Sequence, residues 1–305
     1  MKKCEYNHKY GDVECGDCAE YAACRSTVLR EACCGSRVGM ACSSQLLPYC
    51  DGCDRLDAGV IGQRVVEQSS VGHTPGGKWE FDESVTNCFS DMLHRSIPEY
   101  DTLRQTCFNV GARYVKPNTV IVDLGCSDGI ALQPFVDKFG AYNRYTGVDV
   151  SEPMLEKARY RYRGYTEGGA GIMEIRNCDL RNDYPAVSAS LTLCVLTLQF
   201  TPTEYRQQIL RRIFNHTVSG GALILVEKVL GASAEIDDVL VSEYYAMKKR
   251  NGYSQDDIDR KKLSLEGVLV PITAAWNEDL LDKAGFHQVD CFWRNLNFVG
   301  WIAIK

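Results

Sequence analysis

Three acids stand where short apolar runs give way to small or polar residues. They are Asp123 in Val120-Ile121-Val122-Asp123, Asp149 closing Tyr145-Thr146-Gly147-Val148-Asp149, and Asp179 just past Gly171-Ile172-Met173-Glu174-Ile175-Arg176-Asn177-Cys178. A carboxylate in such a place can accept both hydroxyls of a ribose or an amino group. The first acid opens the pattern D-x-G-x-S-x-G, which runs through Gly125, Cys126 and Ser127 to Gly129. Glycines there permit the backbone angles and close approach that a ligand lying against the main chain requires. The amides freed at the following helix start face the same turn. A dinucleotide site is marked by G-x-G-x-x-G, with the pyrophosphate resting on the helix start; the glycine spacing here, G-x-x-x-G, departs from it. Asp149 lies twenty residues beyond Gly129, the place where nucleoside-binding folds hold a ribose. Taken singly, each acid reads equally well as a helix cap or a solvated loop residue, and the turn as an ordinary strand-to-helix connection. Three acids at three successive strand ends point together to a nucleoside.

A second set of reactive side chains lies near the start. Nine of the fifteen cysteines fall between Cys4 and Cys53. Two C-x-x-C pairs, Cys15/Cys18 and Cys50/Cys53, suit one tetrahedral ion, zinc first and an iron–sulfur cluster second. Either Cys4, Cys15, Cys18 and Cys24 form a local site or the two pairs combine, and two sites are also open. The thirty-one residues between Cys18 and Cys50 exceed the usual ribbon spacing of about fifteen to twenty. Free thiols or an oxidised scaffold are the alternative. The remaining six cysteines are scattered among apolar residues, as buried cysteines usually are.

The elements that must position these groups follow from periodicity. From Thr119 onward strand and helix patterns alternate, the signature of a parallel sheet covered on both faces. Helices are expected near Gly129 to Phe139 and Ser151 to Arg163. A fourth strand runs Ala189 to Leu196, Thr197 to Phe200 forms a loop, and Pro202 starts a helix. A fifth strand spans Gly220 to Lys228. A polar helical insertion covers Ala234 to Leu265, broken at Asn251-Gly252-Tyr253. Trp276 to Ala284 is helical, and Phe286 to Trp293 pairs antiparallel with Phe298 to Ile304. Upstream, helices over Ser84 to Arg95 and from Tyr100 to before Lys116-Pro117 are placed to close over the nucleoside site. The expected organisation is a Cys-rich, metal-binding segment at 1–54, a linker at 55–78 and an α/β domain at 79–305.

A net charge of −6 and a pI near 5.5 argue against a general polyanion-binding surface. No apolar run reaches the roughly twenty residues of a membrane span, and the first residues lack a signal-peptide core. A cytoplasmic protein without a membrane contact is therefore expected. The Cys-rich segment is close to neutral, which leaves nucleic acid as an open partner there.

The D-x-G-x-S-x-G turn is similar to the first motif of S-adenosylmethionine (SAM) methyltransferases, in which backbone and acid hold a zwitterionic methionine end. Further runs, in order, extend the likeness: Phe81-Asp82-Glu83, Asp91-Met92, Arg95-Ser96-Ile97-Pro98-Glu99-Tyr100, Thr197-Leu198-Gln199-Phe200, Glu227-Lys228, Asn251-Gly252-Tyr253-Ser254, Lys283-Ala284-Gly285-Phe286 and Asn297-Phe298. Together they make Trp79 to Lys305 resemble the carboxy-S-adenosyl-L-methionine synthase family, with the Cys-rich segment outside the pattern. The resemblance implies a Rossmann-like class I methyltransferase fold with a seven-stranded, mostly parallel sheet, and a homodimer. It implies an enzyme converting SAM and prephenate, or another small acid, to carboxy-SAM and phenylpyruvate for tRNA wobble-uridine modification. It places Tyr100, Gly125, Cys126, Ser127, Asp149, Val150, Asp179 and Leu180 around the nucleoside. Val195 stands where the family has an asparagine. Lys262 aligns with the arginine that clamps the added carboxylate from the neighbouring subunit; Arg250 and Lys261 are nearby cations able to compensate. Two other functions remain open: methyl transfer to a nucleic acid or protein presented by the Cys-rich segment, and a SAM-binding scaffold without turnover.

Overall fold

The computed structural model describes residues 77–166 and 171–305. The chain divides into two units, Met1–Ser69 and Ser70–Lys305. The expected metal ligands Cys4, Cys15, Cys18, Cys24, Cys50 and Cys53 lie outside the described residues. Among the described residues, no group of three or more His, Cys, Asp or Glu side chains is placed to hold a metal ion, and no helix is long and apolar enough to cross a membrane.

The β-branched run Val120–Leu124 forms strand β1 at the centre of the sheet. It lies parallel to β2 (Arg144–Asp149) on one side and to β4 (Ala189–Val195) on the other. Strands β3 (Met173–Asn177), β5 (Thr217–Leu230), β7 (Gln288–Asn295) and β8 (Phe298–Ile304) complete the order β3-β2-β1-β4-β5-β8-β7, with β8 antiparallel to both its neighbours. Strand order reverses between β1 and β4, which is where open α/β sheets leave a crevice beyond their carboxyl ends.

Side chains alternate across the strands, so Val122 and Leu124 enter one core with Leu210 and Trp301, while Ile121 enters another with Leu103 and Phe135. Helices cover both faces: α1 (Glu83–Ser96), α2 (Tyr100–Gly111), α3 (Gln133–Phe139), α4 (Glu152–Thr166), α5 (Thr203–His216), α6 (Ala234–Arg250), α7 (Gln255–Leu265) and α8 (Ala274–Ala284). Their starts are set by local chemistry. Asp82 accepts the Val85 amide at 2.9 Å, and Ser254 and Asp257 form a reciprocal capping box. A small third core joins Trp79, Val85 and Met154, with Phe81, Phe200 and Leu265 packed on it.

Some expected boundaries shift, and one short strand is added. Helix α3 starts at Gln133 rather than Gly129, because Gly129 takes φ +77° and the next residues form turns. Strand β5 begins at Thr217, which pairs with Ala189. Strand β7 starts two residues late, since Phe286 is buried against Phe214 instead of entering the ladder. A two-residue strand, β6 (Ile272–Thr273), pairs with β5 ahead of α8; its length gives no periodic signal.

Candidate functional site

The turn after β1 is held by its own backbone. The amides of Gly125 and Cys126 both donate to the Val148 carbonyl, at 2.8 and 2.9 Å, tying the turn to β2. Gly125 has φ +73°, and a Cβ there would lie 2.4 Å from Thr197 Oγ1; neither the angle nor the space admits a larger residue. On the other side, Tyr162 of α4 donates its hydroxyl to the Gly129 carbonyl at 2.7 Å.

Asp149 ends β2 as the sequence requires. Its two oxygens accept the amides of Ser127 and Ser151, each at 2.9 Å, which fixes the carboxylate and leaves each oxygen a further lone pair for a ligand hydroxyl. Burial raises its pKa. Asp179 follows β3, and its carboxylate is already engaged: Arg181 donates Nε at 2.9 Å and Nη2 at 2.6 Å to it. That pairing holds the Asp179 carboxyl below its ordinary value. An amino group arriving there shares the acid with Arg181.

Asp123 differs from both. It is 2 % exposed, and its Oδ2 has no hydrogen-bond partner. Burial, reinforced by the Asp149 charge, pushes its carboxyl up to about 7. A buried acid without a donor costs stability unless a cation completes it. This orphan atom fits the ammonium of a methionine end.

Two cavities meet at this turn, sharing Phe81, Gly125, Ser127, Leu196 and Phe200 along their boundary. Asp149, Val150, Asp179 and Leu180 line one; Tyr100, Cys126, Val195 and Asp123 line the other. The eight residues expected around the nucleoside, and Val195 with them, thus each line one or both of these two adjoining cavities. Cys126 is buried and its thiol is raised well above its ordinary value by burial first and then by Asp123, so it is no nucleophile at neutral pH. Burial likewise keeps the Tyr100 phenol neutral, raised to about 12.

The two expected cations line neither cavity. Arg250, at the end of α6, faces a surface pocket with His94 and Glu99, and Lys262 is exposed on α7. Instead Lys261, one residue earlier, turns into the second cavity, where Lys228 and Lys248 join it. None of the three forms an ion pair among the described residues. Burial lowers all of them: Lys228 to about 8, Lys248 to about 8 with help from Lys228, and Lys261 to about 7 with help from Lys248. Sequence reading missed Lys228 and Lys248 as site residues; they arrive from β5 and α6, and no spacing in the chain links them. The signals were Lys228's place after the apolar stretch within β5 and the run Glu227-Lys228 that carries part of the resemblance.

A buried network fixes the loop that separates the cavities. Glu227, pushed up to about 8 by burial, accepts the Leu198 amide at 3.0 Å, and Gln199 accepts the Lys228 amide at 2.8 Å. Arg206, also buried, donates to the carbonyls of Thr201 and Val270 at 2.9 and 2.7 Å. The result is a Leu196 held at φ +58° on the boundary. Among the described residues, no histidine lines either cavity.

Residues 122–223 match the model of a methyltransferase domain family. Over 226 residues, 74% of this chain and 93% of the relative, the sequence is 40% identical to the carboxy-S-adenosyl-L-methionine synthase of Methylococcus capsulatus. It is 36% identical to the enzyme of the same name from Wolinella succinogenes over 230 residues, covering 75% and 94% of the two chains. Among solved structures, a possible exported protein from Bordetella parapertussis superposes with a TM-score of 0.51 at 16% identity, over 79% of this chain and 78% of that one. That likeness extends to the fold.

Proposed function

This chain belongs to the carboxy-S-adenosyl-L-methionine synthase family, and on that premise we propose that it converts SAM and prephenate to carboxy-SAM and phenylpyruvate. It is a SAM-dependent transferase of class I methyltransferase fold. The observation that carries the reading is the junction of two cavities at Gly125 and Ser127, one edged by nucleoside-holding acids and the other apolar and cationic. SAM supplies a sulfonium methyl whose proton is taken up by the ring hydroxide that prephenate loses as it aromatises, giving water, and whose carbon then bonds to the carbon dioxide released in the same reaction.

What the protein adds is placement and charge. Asp149 accepts the ribose hydroxyls, Asp179 and Leu180 border the base, and Asp123 faces the ammonium. The walls contributed by Phe81, Phe89, Phe200 and Leu269 keep water from the released carbon dioxide. Buried cations offset the carboxylate charge. No side-chain nucleophile is needed, which agrees with the inert Cys126 and the absence of histidine from the cavity linings.

Within this reading the product serves tRNA wobble-uridine modification, and the protein works as a cytoplasmic homodimer. The exposed position of Lys262 suits a side chain that reaches a neighbour's cavity, though lysine lacks arginine's two-pronged carboxylate fork. The Cys-rich segment binds zinc through its C-x-x-C pairs, and nucleic acid is a partner to test there. Metal analysis of freshly purified protein is expected to find zinc; neither zinc nor iron refutes that assignment.

Mass spectrometry of the nucleoside formed from SAM and prephenate tests the main reaction. A product heavier than SAM by one carboxylate is expected. Demethylated SAM with a methylated acceptor would instead establish methyl transfer, and SAM recovered unchanged with every acceptor would leave a binding protein.

A further inference from the structure

We propose that Lys228, Lys248 and Lys261 together form the site for the two carboxylates of the second substrate, an apolar-bodied dicarboxylic acid. The proposal rests on the transferase reading above and assigns this chain's own side chains to the acid.

The three lysines come from separate elements, β5, α6 and α7, and converge on one cavity. Each sits over an aromatic face and not beside an acid. Lys228 Nζ is 4.5 Å from the Tyr244 ring centroid, Lys248 Nζ is 4.6 Å from that of Tyr253, and Lys261 Nζ is 3.0 Å from that of Trp79. Lys261 also points its ammonium at Met92 Sδ, 3.0 Å away. Ordinary surface lysines do not behave this way, for Lys248 is only 4 % exposed.

Ring faces attract an ammonium only weakly, whereas taking an unpaired charge out of water costs considerably more. Aromatic contact therefore steers the three side chains without compensating their charge. Among the described residues no acid pairs with them, and a bound anion would compensate them. The acids lining the same cavity do not, because Asp128 is paired with Arg161 at 2.7 Å and Asp123 lies by the nucleoside turn. The lowered lysine pKa values have burial as their first cause, with mutual repulsion adding to it for Lys248 and Lys261, as expected of a cationic cluster waiting for an anion.

Two features select the anion. A phosphate is typically met by backbone amides at a helix start, whereas the cations here are side chains brought from three separate elements, point charges suited to carboxylates. Phe89, Met92, Leu265 and Leu269 line the same cavity, an apolar surface that fits a carbon ring.

Calorimetry with the full chain, saturated with S-adenosylhomocysteine so that no reaction occurs, tests this with prephenate as probe. K228M, K248M and K261M are each expected to weaken prephenate binding at least tenfold, while affinity for S-adenosylhomocysteine stays within threefold. A smaller loss in any variant, or a parallel loss of nucleoside affinity, overturns the trio. Should a variant fail to fold, the wild-type protein decides: benzylmalonate must displace prephenate at least tenfold better than 3-phenylpropionate, and equal displacement refutes recognition of two carboxylates. Product analysis separates this failure from that of the transferase reading. Wild-type carboxy-SAM formation with unaffected variants removes the lysine site alone; absent carboxy-SAM with prephenate binding lost in the variants removes the reaction alone.

Discussion

Replacing Asp123 by Asn removes a charge from a place that has no partner for it, and the consequence can be worked out. In the folded protein the Asp123 carboxyl titrates at about 7, against an ordinary 3.8, because burial and then the Asp149 charge disfavour the ionised form. Between those two values the folded state holds a proton that the unfolded state has released. Unfolding then releases a proton, so stability falls as pH rises through that window. The difference of about 3 pH units corresponds to roughly 4 kcal/mol of stability in all, of which about 3 kcal/mol is lost between pH 5 and pH 8. Asn carries no such penalty, so D123N should overtake the wild type as pH rises. Glu227, raised to about 8 by burial, contributes a slope of the same sign to both proteins and cancels in the difference. The assay is urea unfolding of both proteins at pH 5 and pH 8, without nucleoside and then with saturating SAM. In the presence of SAM the order is expected to invert, because an ionised Asp123 beside an ammonium makes a charge-assisted hydrogen bond worth about 1.5–3 kcal/mol. A difference between variant and wild type that does not change with pH, or that changes in the opposite sense, refutes the assignment of Asp123 as an uncompensated acid.

Asp149→Ala should lower SAM affinity at least a hundredfold in calorimetry. It should also cost about 1–3 kcal/mol of stability, since the amides of Ser127 and Ser151 lose their acceptor; unchanged affinity counts against the ribose site. Gly125→Ala must place a Cβ 2.4 Å from Thr197 Oγ1 and displace a hydroxyl that donates to the Leu124 carbonyl at 2.8 Å. Gly140→Ala, at φ +50° and ψ −135° with open space around it, meets no neighbouring atom and pays only the strain of a conformation outside the left-handed helical region, about 1–3 kcal/mol. Thermal melts should therefore place the Gly125 variant well below the Gly140 variant, with SAM binding lost only in the former, and equal effects would mean that the turn has slack.

Much of the nucleoside half was legible in the sequence because its parts are local. An acid at the end of an apolar run, glycines four apart and a second acid twenty residues on are all fixed by the geometry of one strand-turn-helix unit and its neighbour. The cationic half was legible only at Lys261, named as a nearby cation beside Lys262. Lys228, Lys248 and Lys261 belong to three elements whose mutual placement depends on how α6 and α7 pack after β5, and a lysine near a helix end reads as a dipole-matched surface charge. The resemblance reached Lys262, which is exposed, while the side chain turned into the cavity is its neighbour; a helix rotates adjacent positions by about 100°, and only packing says which one faces in. The same limit hid Arg206. A charged residue in an otherwise amphipathic helix looks solvated until the carbonyls of Thr201 and Val270 are seen to surround it.

The opposite pKa shifts of Asp123 and the three lysines have one origin, and it bears on why the cavity carries both signs. If buried charges existed here for stability, the acid and the lysines would pair, since pairing is the ordinary way to keep an ion out of water. The described residues show no such pair: the charge that lowers Asp123 slightly is that of Arg104, and the lysines rest on aromatic rings. Keeping unlike charges apart within one cavity lowers stability, and the loss is recovered only when a ligand brings a cation to the acid and anions to the lysines. A SAM ammonium meets the first need and a dicarboxylate the second. Each ligand also shifts the protons its partner groups hold, the acid losing one as the ammonium arrives and the lysines gaining as the carboxylates arrive. The two binding events thus pull in opposite protonic directions across a boundary only a few residues wide, which is the arrangement expected where a carboxyl group is to be moved from one ligand to the other.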